Sequence, residues 1–241
     1  MTEEQKISRR DFLRRSARVG AAAAIGGVAA GICFDPAGPA PQTAAAAPVR
    51  RFDFSIPAEA PQIAMVRGGD RTESFDRAIS ALGGMGRFVG PGDRVLLKVN
   101  AAFSSPAVLG ATTHPELVHG AVRHCLEAGA GSVTVADNPI NDPAACFSLT
   151  GIAEAAKRAG ADVMLPRLQH FSRISIPEGR LIVDWPVFSA ALAGVDKVIG
   201  MAPVKDHHRS GASMGLKNWY GLLGGRRNLF HQDIHGIIRE L

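Results

Sequence analysis

The chain is poor in cysteine and in aromatic side chains. Three cysteines among 241 residues cannot build a disulfide scaffold. None stands in a C-x-x-C pair, which excludes a zinc ribbon and a self-contained iron–sulfur cluster. Neither sign of charge dominates, with 27 Lys and Arg against 22 Asp and Glu. Long apolar runs are missing: Val19 to Phe34 is Ala/Gly-rich and short of Leu, Ile and Phe, which argues against a membrane span. There is no internal repeat. What is present, 46% apolar and 20% charged residues, fits a globular protein and excludes disorder and collagen-like repeats.

The opening residues read as an address. Ser8-Arg9-Arg10-Asp11-Phe12-Leu13-Arg14 is a twin-arginine pattern followed by the weakly apolar stretch. The Pro/Gly/Ala tract from Asp35 to Pro48 cannot continue a helix. Ala44, Ala45 and Ala46 supply an A-x-A cleavage signal, so export by the twin-arginine route and a mature chain beginning near Ala47 are expected; an uncleaved N-terminal anchor is the alternative. Residues 1–46 are then the signal peptide, 47–61 a linker and 62–241 the folded domain. The signal takes six basic and four acidic residues with it and leaves 21 against 18. A domain so nearly neutral gives no electrostatic support for nucleic-acid binding. The expected location is periplasmic or otherwise extracytoplasmic, with no stable membrane span in the mature chain.

From residue 62 onward, β-rich runs alternate with amphipathic segments. Gln62 to Arg67, Arg94 to Asn100, Ser132 to Ala136, Asp162 to Leu165 and Val195 to Met201 read as strands. Asp76 to Leu82, a helix capped by Thr113 and ended at Gly129, and Leu149 to Arg158 read as helices. Arg173 to Ile176 and Leu181 to Val183 look like a hairpin, Pro186 to Leu192 like a short helix, and Gly211 to Leu241 like helix broken at Gly224-Gly225. The progression predicts a single α/β domain, a mostly parallel sheet with helices on both faces. The final helical stretch has no strand after it, as in a C-terminally truncated domain.

Ligands of open α/β sheets bind beyond the carboxyl ends of the strands, and the densest polar run, Lys205 to Trp219, directly follows the strand ending near Met201. Its lysines and imidazoles suit an anionic ligand, although the run carries neither G-x-x-x-x-G-K-[ST] nor G-x-G-x-x-G. Gly211-Ala212-Ser213-Met214-Gly215 lacks the flanks of a nucleophile elbow, so a Ser-His-Asp hydrolase is not supported. His231 and His235, four apart, would share a helix face and with His207 could hold a divalent metal; solvent-facing histidines are the plainer alternative. Lys98, Asn100 and His114 flank the loop after Arg94 to Asn100 and could face the same cleft, unless His114 is incidental to a helix cap. Asp137-Asn138 could add a carboxylate or form an Asx-turn. Cys125 reads as a buried apolar residue and Cys146 as a loop residue; whether they pair stays open.

Val95-Leu96-Leu97-Lys98-Val99-Asn100, Thr113-His114-Pro115-Glu116-Leu117-Val118, Glu127-Ala128-Gly129-Ala130, Lys205-Asp206-His207 and Gly215-Leu216-Lys217-Asn218 together resemble the family known as domain of unknown function 362. The resemblance implies an α/β domain of unsettled activity and, as context, a ferredoxin-like iron–sulfur partner. The expectation is an exported protein with a Lys/His cleft that binds a metal or small anionic ligand, or a non-catalytic periplasmic binding protein. Lys98, Asn100 and His114 would form one wall. Lys205, His207, Lys217, Asn218 and His231 would form the other, with Lys205, His207 and Lys217 as catalytic candidates, Lys98, Asn100, His114 and Asn218 as ligand-binding ones, and His207, His231 and His235 as metal ligands.

Overall fold

The computed structural model of the chain describes residues 8–35 and 63–241. The expected cleavage point and linker lie outside them. In the N-terminal unit, helix α1 (Arg9–Ile32) begins at Ser8, whose side chain accepts the Asp11 N–H, and none of its residues is buried. Among the described residues, no helix is long and apolar enough to cross a membrane.

The second unit is built on four parallel strands in the order β3-β2-β1-β6: β1 (Arg94–Lys98), β2 (Ser132–Ala136), β3 (Asp162–Met164) and β6 (Lys197–Gly200). Buried on both faces, β1 reads as an apolar run rather than an alternation. Val95, Leu97 and Val99 join Val133 and Val135 in a core with Val118, Ala121, Val122 and Cys125 of helix α3 (Pro115–Glu127) and with Ile152 and Ala156 of helix α5 (Ile152–Arg158). Helix α2 (Arg71–Ala81), started by Asp70 accepting the Glu73 N–H, packs on α3 where Gly120 makes room for Phe75. The chain steps from β1 outward to β2 and β3, then returns to place β6 on the other side of β1. The loops after β1 and β6 therefore diverge and leave a crevice, the switch point where such sheets take ligands.

Several expected elements differ. Residues 63–67 form no strand, and Ile63 and Met65 stay exposed. The segment expected as one helix over 149–158 is two, α4 (Pro143–Leu149) and α5, separated at Gly151 with φ 75°. Cys146 lies on α4; it and Cys125 are buried free thiols rather than a disulfide. The hairpin pairs β4 (Ser172–Ile174) with β5 (Trp185–Val187), not with 181–183, because the amides of Leu181 and Ile182 donate to the Glu240 carboxylate. In place of a short helix from Pro186, only a 3₁₀ turn at Ser189–Ala191 forms. Lys205–His207 (β7) and Gly211–Ser213 (β8) form a second hairpin, so residues 211–213 are strand. Helix α6 (Gly215–Asn218) and the turn Trp219–Leu222 follow and cover the sheet face opposite α3. The last expected helix resolves into a 3₁₀ segment, Arg227–Asp233, and α7 (Ile234–Glu240), which restarts where Asp233 accepts the Gly236 N–H.

Candidate functional site: a basic cleft at the strand ends

The crevice holds a cleft of about 670 Å³ lined by Asn100, Lys205, His207, Lys217, Asn218 and His231, together with Asp137, Tyr220 and Arg227. Beneath it lies Lys98, wholly buried at the end of β1, its ammonium 2.6 Å from Asp137 just past the end of β2 and 2.7 Å from the Val99 carbonyl. Asp137 is further held by the amides of Ala101 and Asn138. Burial pulls Lys98 below the usual lysine range, and Asp137 opposes that pull. Gly221 closes over the pair: a Cβ there would lie 2.8 Å from the Lys98 ammonium and also collide with the Asp137 carboxylate.

A polar ladder joins this floor to the cleft. The Asn218 amide donates to the Lys98 carbonyl (3.1 Å) and accepts from Asn100 (3.1 Å), whose own side-chain oxygen accepts from the Lys205 ammonium at 3.0 Å. Lys205 spends a second donor on the Ala111 carbonyl at 2.7 Å, which leaves one of its three for a ligand. The Lys217 ammonium stands 5.3 Å from the centre of the Tyr220 ring. Burial lowers both lysines, with Lys217 acting on Lys205 and Arg227 on Lys217. Arg227 is fixed by carbonyls of Asn138, Pro139, Tyr220 and Leu223. Among the described residues, Lys205, Lys217 and Arg227 have no ion-pair partner, whereas Lys98 is neutralised by Asp137.

The imidazole rings of His207 and His231 stack with centres 5.6 Å apart, and exposed His208 stacks on His207 at 5.2 Å. Nδ1 of His207 lies 3.2 Å from the Ser210 amide nitrogen and 2.9 Å from the Ser210 hydroxyl, which itself donates to the Ala212 carbonyl. Nδ1 of His231 faces the Asn228 carbonyl at 3.3 Å and the Tyr220 hydroxyl at 3.1 Å, and that hydroxyl donates to the Arg227 carbonyl. The pattern puts the His231 proton on Nδ1 and leaves Nε2 as an acceptor. Both rings sit below the ordinary imidazole range, through burial first and Lys217 second.

The two expected walls are therefore partly redrawn. Asn100, Lys205, His207, Lys217, Asn218 and His231 meet in the cleft, and Lys98 underlies it. His114 does not. It is the N-cap of α3, its Nδ1 accepting the Glu116 N–H at 3.4 Å, and it lines a separate cavity of about 430 Å³ bordered by α2, α3 and the end of β6. Thr113, expected as the cap, instead accepts the Asn100 N–H and donates to the Met201 carbonyl. His235 is exposed and outside the cleft, because the restart at Asp233 breaks the helical phase linking it to His231. Among the described residues, no three His, Cys, Asp or Glu side chains form a set able to hold a metal ion. Ser213 lines the cleft but lacks the positive φ of a strained nucleophile turn; among described non-glycine residues only Glu178 and Asp184 have one. Tyr220 and Arg227 were not singled out from the sequence. The uniqueness of the tyrosine and the double arginine after Gly224-Gly225 were the available signals.

Fold and cleft together define an open α/β protein with a basic pocket at its switch point. The chain belongs to the family described as Domain of unknown function (DUF362), whose model matches residues 95–241. It is 34% identical over 166 residues to the Thylakoid-associated protein sll1697 of Synechocystis sp., an alignment covering 66% of this chain and 48% of that protein. The chain thus spans about half the length of this curated relative. No solved structure matches it.

Proposed function

We propose that the cleft binds a small anionic ligand, with Lys205, Lys217 and Arg227 neutralising its charge, Asn100 and Asn218 orienting it, and His207 and His231 moving a proton on it. A single observation carries the reading: Lys205, Lys217 and Arg227 line one cleft, with the exposed Arg167 and Asp206 also on its wall, and none of the three is paired to a carboxylate among the described residues, while the one buried carboxylate, Asp137, is ion-paired to Lys98. Cations crowded this way repel one another, and a bound carboxylate or phosphate relieves the repulsion. Two stacked imidazoles beside these cations are placed to pass a proton to or from such a ligand. His235 leaves the metal reading without its third ligand. Calorimetric titration of the full chain with inorganic phosphate tests the proposal. Saturable binding that weakens at least about tenfold in Lys205→Ala and Lys217→Ala supports it; binding unaffected by either change refutes it.

We also infer export by the twin-arginine route. The motif Ser8 to Arg14 opens α1, and Ile25, Val28 and Ile32 of that helix are exposed, as suits a segment recognised by other machinery. The relative is described as thylakoid-associated, and a place beside a membrane system agrees with passage across one. Changing Arg9 and Arg10 to Lys should abolish the exported, shortened form seen on fractionation. Continued export of the double variant would disprove the assignment.

A further inference from the structure

The cleft is much larger than a bare anion requires. A phosphate ion displaces only a few waters of about 30 Å³ each, whereas about 670 Å³ is available, within the range that encloses organic ligands. Much of its remaining lining is apolar and comes from the loops at the ends of β1, β2 and β3, Phe103, Pro139, Pro166, Leu168 and Phe171, alongside the charged Arg167 and Asp206. The Phe171 ring is held by stacking on Phe188, with centres 5.3 Å apart and planes 23° from parallel. Gly224 lets the backbone pass beside it, since a Cβ there would stand 2.6 Å from that ring. Phe103 and Leu168 remain 38% and 57% exposed, leaving apolar surface in water at the cleft.

The apolar and cationic parts adjoin. The Lys205 ammonium, with one donor left, lies 5.4 Å from the centre of the Phe103 ring. A carboxylate or phosphate held by Lys205 would carry whatever is attached to it onto that ring. Building on the anionic-ligand reading, we propose that the ligand is an organic anion whose charged group meets Lys205 and Lys217 and whose apolar ring packs against Phe103 and Phe171. Inorganic phosphate fills only the basic end, and the rest of the binding comes from apolar area removed from water.

Titrating the full chain with inorganic phosphate and with phenyl phosphate separates the two levels of the argument. Phenyl phosphate is expected to bind at least about tenfold more tightly, the return from burying one aromatic ring. Phe103→Ala, at a part-exposed position, should weaken phenyl phosphate binding far more than phosphate binding. Phe171→Ala should do the same. Equal affinity for the two ligands, or a Phe103→Ala effect of the same size on both, overturns the organic-anion inference and leaves the basic-cleft reading intact. Binding of neither ligand removes both.

Discussion

The Lys98 ammonium and the Asp137 carboxylate meet at 2.6 Å with both side chains shut off from solvent, at the ends of adjacent parallel strands. Both charges are almost wholly withdrawn from water, so each depends heavily on the other. Lys98→Met should destabilise the chain by about 3–5 kcal/mol, since it strands a buried carboxylate, while Lys98→Met combined with Asp137→Leu should lose distinctly less. Urea denaturation of the single and double variants measures both. A single variant within about 0.5 kcal/mol of the parent would mean that the pair is not closed to solvent as described.

Acidification should weaken the fold through the stacked imidazoles. His207 and His231 titrate below their ordinary value of 6.5 because of burial and Lys217, with His208 adding to the effect on both and Arg209 to that on His231; Asp206 works the other way on His207. The unfolded chain then takes up protons first as the pH falls. The associated stability is complete above 6.5 and drains away as the pH drops through the lower folded-state values. Unfolding midpoints followed from above pH 7 to about pH 5 should decline less in a His207→Gln, His231→Gln double variant. Parallel declines in the two proteins would assign the acid sensitivity elsewhere.

Tyr220 is the chain's one tyrosine, so ultraviolet titration reads it alone. Burial pushes its phenol up to about 12, against a smaller downward pull from Arg227. Phenolate absorbance should rise with a midpoint near 12 in the folded chain and near the ordinary 10 in urea. The stability tied to this group is intact below 10 and is lost as the pH climbs through the folded-state value. A folded-state midpoint at 10 would show a ring open to water.

The α/β progression was legible because parallel strands buried on both faces read as unbroken apolar runs, as in Val95 to Leu97, and because Gly129 marks a helix end. The location of the cleft followed from the rule that ligands gather at strand ends, which picked out Lys205, His207 and Lys217. Local pattern misled where a distant residue competes for the backbone: Glu240 draws off the amides of 181–182, and Asp233 resets the helix between His231 and His235. His114 was misplaced because a helix-capping role and a cleft role look alike in sequence. Arg227 was marked only by the doubled arginine after Gly224-Gly225, because its partners are main-chain carbonyls of residues up to 89 positions away, and carbonyls leave no trace in side-chain identity.

Arg227 grips the main chain on both sides of the crevice floor, at Asn138 and Pro139 and at Tyr220 and Leu223. That flank of the pocket is riveted: displacing it would break several charge-assisted hydrogen bonds at once, each worth about 1.5–3 kcal/mol. Accommodation of differently shaped guests consequently falls to side chains that this clamp does not hold, the part-exposed Phe103 and Leu168.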